Sequence, residues 1–278
     1  MNIAFGLLAA LAAGTSDFLG GLGSRRLAAV LVATFAQLSG MVVALAMTTV
    51  IDGELLATDL MWGALAGMFG ATGLLSIYIA YSTGRVAVAA PVAGVGTAAI
   101  PVVASIVRGS DLTTNVAIGI GVGLVAIALT SLGADGGEGS VVRSLAFGAG
   151  GAVGLGLLLL LLAEGSEDGG LWPLVAARGG GFVALSLVVT LSATTWPRPA
   201  SAAPALPFIA GIAVLGTIAN ALFIIASRNG STAVAAVLVS LFPAATVIWA
   251  WIVLKEPLRR VQMAGIALAL VAIALIAA

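Results

Sequence analysis

The sequence LVAIAL occurs twice in this chain, at residues 124–129 and again at residues 270–275. The two copies lie 146 positions apart, and at that shift residues 87–129 align with 233–275 without a gap, with 18 identities in 43 positions. A match that keeps its register across two apolar runs and the loop between them predicts an internal repeat. The alternative is a chance coincidence of helices rich in alanine, valine and leucine.

The composition is that of a membrane protein. Of 278 residues, 61% are hydrophobic and 8% are charged, whereas a soluble domain carries about 25% charged residues. The formal net charge is zero, so the chain offers no basic surface to a nucleic acid. Because it contains neither histidine nor cysteine, zinc and haem sites built on these ligands are excluded. We therefore expect no metal, no cofactor and no nucleic-acid partner.

Charged residues and turn formers divide the sequence into apolar runs, each close to the 20 residues that a membrane helix needs. Backbone polar groups in hydrocarbon must be satisfied within the segment, so each run is predicted to be a helix. The fold predicted is an all-α integral membrane protein with ten transmembrane helices, at residues 3–23, 27–50, 60–81, 86–107, 115–133, 144–163, 171–193, 206–226, 232–254 and 261–278.

The repeat divides these spans into two sets of five. We predict a first five-helix repeat at residues 1–133, a linker loop at 134–143 and a second repeat at 144–278. Because five is an odd number, the second repeat enters the membrane in the opposite orientation. Inverted repeats are a recurring construction of secondary transporters, whose substrate site lies near the midplane between the repeats.

Three stretches resemble the ten-helix EamA-like family of the drug/metabolite transporter superfamily. Residues 14–21 (GTSDFLGG) resemble the family's Trp-Gly-x-x-Phe region, without its tryptophan, and Arg178 resembles an arginine often found in the seventh helix. Pro243 followed by residues 254–258 (LKEPL) resembles the family's Pro…Leu-Gly-Glu-x-Leu ending, with Lys255 in place of the glycine. The resemblance implies a ten-helix carrier that exports or exchanges small metabolites, and it does not name a cargo.

The cellular location follows only indirectly from the sequence. Ten arginines against one lysine, with abundant alanine and glycine, favour a GC-rich bacterial genome and hence the bacterial plasma (inner) membrane. The bias of basic loop residues predicts both termini outside. The family resemblance implies termini inside, and both orientations stay open at this point.

Among the acidic residues, Asp17 lies well inside an apolar run, whereas the others lie in predicted loops or at span ends. An acid at the centre of a membrane helix costs about 2.5–3.5 kcal/mol, so it normally faces a cavity or a partner. Because burial disfavours the charged form, such a carboxyl can take a proton from one side and release it to the other. We expect Asp17 to couple protons to transport or to bind a cationic group of the cargo. The alternative is a carboxylate that reaches toward Arg25 and Arg26 near the helix end.

Arg178 is the corresponding cation, about seven residues into the seventh span. Its planar guanidinium suits a cargo carboxylate, or it pairs with Asp17 across the repeat interface. The alternative is a side chain that extends along its apolar stem to the headgroups.

Proline and glycine are predicted to interrupt the fourth and ninth spans. Interior prolines remove helix hydrogen bonds, and such breaks in corresponding spans of two repeats indicate a transporter's binding site. The hinge or gate residues are Pro91, Gly94, Gly96 and Pro101 in the fourth span and Pro243 in the ninth. A static kink is the alternative. Other polar residues in the spans are weaker candidates for substrate binding, and the alternative is that each only bonds to a neighbouring helix. These candidates are Ser16, Gln37, Tyr78, Thr97, Asn220 and Ser240.

These observations favour a secondary active transporter, a proton-coupled or gradient-driven exporter of a small amino-acid-like or amphipathic compound that works by alternating access. Its partners would be the small-molecule substrate, protons as a candidate coupling ion, membrane lipid and, through the fifth and tenth spans, a second copy. The alternative function is a flippase for a lipid or lipid-linked carrier. An enzyme fits poorly, because one buried acid without a histidine, cysteine or second carboxylate forms no general acid–base pair.

Overall fold

The computed structural model describes residues 2–109, 114–132, 140–192, 194, 202–229, 232–255 and 260–277. In the part described the chain is all-helical, with 86% of these residues in helix and no strand among them. Of the predicted linker loop 134–143, residues 140–143 are described and the remainder lies outside these ranges. Residues 256–258 of the LKEPL motif also lie outside them.

The helices described in these ranges follow the apolar runs of the sequence. Their bounds are α1 Asn2–Ser24, α2 Ala29–Met47, α3 Ala57–Thr83, α4 Val86–Val107, α5 Thr114–Leu132, α6 Val141–Leu162, α7 Trp172–Leu191, α8 Leu206–Arg228, α9 Thr232–Val239, α10 Phe242–Leu254 and α11 Arg260–Ala277, with one turn of 3-10 helix at Ala203–Ala205 ahead of α8.

Each of the ten predicted spans coincides with helix, and the ninth span consists of the two helices α9 and α10. Seven segments among the described residues are long and apolar enough to cross a membrane, namely α1, α2, α3, α6, α7, α8 with its preceding turn, and α9–α10 taken together. Val88–Ala104 and Met263–Leu275 are shorter apolar helices. The chain is therefore a multi-pass membrane protein.

The predicted interruption of the fourth span is wrong, whereas that of the ninth is correct. Helix α4 runs without a break from Val86 to Val107 through Pro91 and Pro101. Each proline removes a single helix hydrogen bond, and the bonds on either side are enough to continue the helix. In the ninth span the helix ends at Val239 and restarts at Phe242, so that Pro243 occupies the first turn of a new helix, where its missing N–H costs nothing.

The outer surface of the bundle is apolar. Large hydrophobic side chains are exposed along several helices, whereas the interior is built mainly from small residues. An apolar exterior of this extent is expected for helices that face lipid. Examples of the exposed side chains are Leu11, Val42, Met68, Val183 and Trp251.

The two halves of the chain interleave. The most extensive packing joins helices of different halves: α3 with α6 and α7, α1 with α8, α4 with α6, and α5 with α11. Exchange of the two halves pairs each of these contacts with another contact in the structure: α1–α8 corresponds to α6–α3, α4–α6 to α1–α9/α10, and α3–α7 to α2–α8. The pairs α2–α7 and α5–α11 each correspond to themselves. The packing is therefore reciprocal between the halves.

Glycines on α3 allow the closest of these contacts. A β-carbon at Gly67 would overlap the carbonyl oxygen of Ala177, and Gly73 lies directly against Gly154 of α6. Small residues let helix backbones approach this closely in a membrane. The contact at Gly67 fixes the position along α7 of Ala177 and of the next residue, Arg178.

Candidate functional site

A cavity lies at the centre of the bundle, between helices of both halves. It contains about 720 Å³ of empty space, including the part that opens at its mouth. Most of its walls are apolar, with a few polar groups directed inward, as is typical of small-molecule sites. The lining residues that carry the chemistry are Ser16, Asp17, Gln37, Thr97, Arg178 and Asn220.

Asp17 lies on α1 in the wall of this cavity and is 5% exposed. Within the described residues, it has neither a hydrogen bond nor an ion pair. The two arginines at the end of α1 are engaged elsewhere: Arg25 Nη2 donates to the carbonyl of Tyr81 at 3.4 Å, and Arg26 lies over the ring of Phe208, 5.4 Å from its centroid. The Asp17 carboxyl therefore reaches the cavity and does not reach these arginines.

Arg178 lies on α7 in the same wall and is also 5% exposed. Its Nη1 donates to Oε1 of Gln37 on α2 at 3.1 Å. Its Nε and Nη2 have no hydrogen-bond partner within the described part of the chain. A buried charged donor without a partner is costly, so an unfilled edge of the guanidinium is a feature that calls for a ligand.

Asp17 and Arg178 line one cavity without forming an ion pair with each other in the described structure. Tyr78 on α3 lies near both of them. It is fully buried, and its hydroxyl has no hydrogen-bond partner among the described residues. An acid and a base are thus held in the same chamber while each remains available to a third group.

Two glycines lie beside the unpaired edge of Arg178. A β-carbon at Gly40 on α2 would lie 3.2 Å from Nε, and one at Gly216 on α8 would lie 3.5 Å from Nη2 and 3.0 Å from Ser16 Oγ. Larger residues at these positions would therefore press on the guanidinium. Sequence reasoning missed both glycines, because their importance depends on contacts between distant segments.

The weaker candidates divide into two groups. Ser16, Thr97 and Asn220 line the cavity, and Thr97 Oγ1 has no partner in the described structure. Ser240 is buried outside the lining, where its Oγ donates to the carbonyl of Ala236 in its own helix at 2.7 Å. Tyr78 also lies outside the lining.

Two of the candidate hinge residues, Gly94 and Pro243, meet at the break between α9 and α10. Pro243 packs directly against Gly94 of α4, so that a side chain at Gly94 would collide with the proline ring. Val239 and Phe242, on either side of the break, line the cavity. The other candidates lie along α4: Gly96 packs against Ala152 of α6, and Pro91 and Pro101 are buried within the helix.

A second polar cluster, which sequence reasoning missed, joins loops at one end of the bundle. Asp59, in the first turn of α3, is 2% exposed and accepts hydrogen bonds from Ser166 N at 3.0 Å and from Ser166 Oγ at 2.6 Å. Arg228 Nη2, at the end of α8, donates to the carbonyl of Ser166 at 2.6 Å. We call Asp59, Ser166 and Arg228 the loop clasp. In the sequence Asp59 lies just ahead of the third predicted span. That position gave no indication that its partner, Ser166, is 107 residues away.

Further contacts reinforce this end of the bundle. Glu54 N donates to the carbonyl of Asp168 at 2.7 Å, and Trp172 Nε1 donates to the carbonyl of Gly53 at 3.2 Å. Arg108 and Glu164 form a salt bridge beside them. The α2–α3 and α6–α7 loops are therefore bound together over this end.

Comparison with known proteins finds a shared fold for the chain and a family match for its second half. A solved crystal structure matches 97% of this chain and 95% of its own chain with a TM-score of 0.65 at 18% sequence identity, which indicates a shared fold. A search of the curated proteins finds no match. Residues 144–278 match the model of the EamA-like transporter family. The second half of the chain is therefore similar in sequence to EamA-like transporters.

Proposed function

We propose that this protein is a secondary active transporter that exports a small amino-acid-like or amphipathic metabolite by alternating access. The observation that carries the proposal is the central cavity, in which Asp17 from the first half and Arg178 from the second half lie buried. Ionisable groups inside a membrane bundle mark substrate or ion pathways by default. Here they lie in one chamber with polar groups free to bind a solute.

The packing supports two inverted five-helix repeats around this chamber. Gly20 and Gly21 on α1 contact Tyr78 and Tyr81 on α3 in the same order, so these helices run parallel. Contacts of Gly70 with Leu158 and of Gly73 with Gly154 make α3 antiparallel to α6. The first helices of the two halves, α1 and α6, therefore run in opposite directions. Together with the reciprocal packing, this is the arrangement expected of a carrier that rocks around a fixed site.

The contacts also suggest how access alternates. The loop clasp and its neighbouring contacts hold one end of the bundle together. The break between α9 and α10 adjoins both Gly94 and the cavity, so a change of angle there alters the cavity wall. We propose that binding of the cargo is linked to movement at this break and to release of the loop clasp.

Proton coupling is assigned to Asp17. A buried carboxyl without a fixed counter-ion is neutral when it holds a proton and negatively charged when the proton has left. Burial favours the neutral form, so exposure to either side of the membrane in turn would load and unload the proton. Export would then follow from proton entry or from the cargo's own gradient.

The first experiment is an export screen. The protein and its Asp17→Asn variant are overproduced to equal membrane levels, and the solutes released into the medium are profiled by mass spectrometry. We expect at least one small solute to accumulate outside cells that carry the wild-type chain and much less outside cells that carry the variant. Solutes found in this way are then tested in proteoliposomes, with labelled lipid as the arm that tests flippase activity.

The proposal fails if the medium is unchanged by the wild-type chain and proteoliposomes loaded with cell extract exchange no solute. Movement of labelled lipid without movement of any soluble compound would favour the flippase instead.

A further inference from the structure

The guanidinium of Arg178 is only partly used by the protein. Gln37 occupies Nη1, while Nε and Nη2 remain without a partner among the described residues. These two nitrogens lie on the same edge of the planar group and donate in parallel. An edge of this shape matches the two oxygens of a carboxylate.

The surroundings orient that edge and bury it without supplying an acceptor from the described residues. The hydrogen bond from Nη1 to Gln37 fixes the rotation of the guanidinium about its stem. At Gly40 and Gly216 only backbone lies beside these nitrogens, since a β-carbon there would come within 3.2 Å of Nε and 3.5 Å of Nη2. No carboxylate of the described chain approaches within ion-pair distance, although Asp17 lines the same cavity.

We propose that the Nε–Nη2 edge of Arg178 is a carboxylate-binding subsite and that Gln37 is the residue that positions it. The cargo then carries a carboxylate group, which forms two parallel hydrogen bonds with this edge. This inference rests on the proposed function in taking the central cavity as the place where cargo binds.

The rest of the cavity defines the remainder of the ligand. Beyond the polar groups, the wall consists of aliphatic and aromatic side chains, among them Leu155, Leu158, Leu159, Ile212 and Phe242. Burial of apolar ligand surface against such a wall is favourable. A branched aliphatic acid is therefore a suitable probe of the subsite.

The experiment measures binding of four related probes to the full chain in lipid nanodiscs by calorimetry at neutral pH. Leucine and 4-methylpentanoate carry the carboxylate, whereas leucinamide and isoamylamine have the same branched tail without it. We expect the two carboxylates to bind at least about tenfold more tightly, a difference of about 1.4 kcal/mol. The readout is the ratio of leucine to leucinamide affinity, which a general loss of folding would not alter selectively.

Two variants test the two residues separately. Arg178→Lys keeps the positive charge but lacks the two-pronged edge, so we expect the ratio to fall to near one. Gln37→Met keeps the size of the side chain and removes the acceptor for Nη1, so we expect the ratio to fall severalfold while leucinamide binding is unchanged. Arg228→Lys is the matched control, because it changes a partly buried arginine in the loop clasp and should leave the ratio as in the wild type.

Equal affinity for leucine and leucinamide in the wild-type chain, binding of none of the four probes, or an unchanged ratio in Arg178→Lys would each overturn the subsite. If Arg178→Lys lowers the ratio of leucine to leucinamide affinity but Gln37→Met leaves it unchanged, the subsite stands and the positioning role of Gln37 is wrong. These failures are distinguishable from failure of the proposed function, because the export screen reports transport of any solute whether or not it carries a carboxylate.

Discussion

Two buried acids on neighbouring helices have opposite surroundings. Asp59 in the loop clasp accepts two hydrogen bonds from Ser166, which in turn accepts one from Arg228. Asp17 in the cavity has no such partner in the described structure, and nearby Arg178 keeps two nitrogens unpaired. Both acids are almost completely buried, so burial alone does not separate them.

The difference shows how to distinguish structural from functional charges in a membrane protein. A buried charge whose hydrogen-bonding capacity is filled by the protein contributes to closure and stability. A buried charge whose hydrogen-bonding capacity is left unfilled destabilises the unliganded protein, and it is available to bind a ligand or a proton. The following substitutions test this distinction, beginning with the largest expected effect.

The largest effect is expected on proton-driven accumulation by the Asp17→Asn variant. With one coupled proton, a gradient of about one pH unit gives about tenfold accumulation of cargo in wild-type proteoliposomes. Asparagine cannot exchange a proton, so we expect the variant to equilibrate the cargo without accumulating it. The measurement is the ratio of inside to outside concentration at steady state. Accumulation by the variant equal to the wild type would remove Asp17 from the coupling mechanism.

The next largest effect is expected on stability, from the matched pair Asp59→Ala and Asp17→Ala. Removal of the Asp59 carboxylate leaves Ser166 N and Oγ without their acceptor, which we expect to lower the free energy of unfolding by about 2 kcal/mol. Asp17→Ala removes no hydrogen bond among the described residues and should leave stability unchanged or higher. Unfolding in detergent, followed by circular dichroism, measures both. Equal losses would contradict the distinction between the two acids.

A smaller effect is expected from Gly216→Ala. The added methyl would lie 3.0 Å from Ser16 Oγ and 3.5 Å from Arg178 Nη2, which narrows the space beside the unpaired edge without changing the charge. We expect carboxylate binding to weaken about threefold, equivalent to about 0.6 kcal/mol, with leucinamide binding unaffected. Gly211→Ala, on the same helix but against Leu19, is the control. Loss of binding for both ligands alike would indicate that the methyl distorts the helix packing instead.

Much of the architecture could be predicted from the sequence. Apolar runs located all ten segments within a few residues, because the membrane imposes helix wherever hydrophobicity is continuous. The repeat at residues 87–129 and 233–275 predicted two related halves, which stays a prediction, and the family match covers residues 144–278. Asp17 and Arg178 stood out because charges are rare in such runs.

The parts that could not be predicted depend on contacts between distant segments. The Gln37–Arg178 bond joins positions 141 residues apart, and Gln37 alone resembled any polar residue in a membrane helix. The α4 prolines were misjudged, because the pattern does not reveal whether neighbouring hydrogen bonds continue the helix. Asp59 was missed because a carboxylate next to a span is usually solvated.

The interleaving of the halves also has a consequence during synthesis. The glycine face of α3 can pack against α7 only after α7 has been synthesised. Gly67 precedes Ala177 by 110 residues in the chain. At translation rates of about 5–20 residues per second, that wait lasts about 5–20 s. For this interval the newly inserted first half exposes an unpaired small-residue surface to the bilayer, which makes it the most vulnerable species to quality-control proteases. Pausing of the ribosome between the two halves would therefore lower the yield of the carrier more than the same pause near the end of the chain.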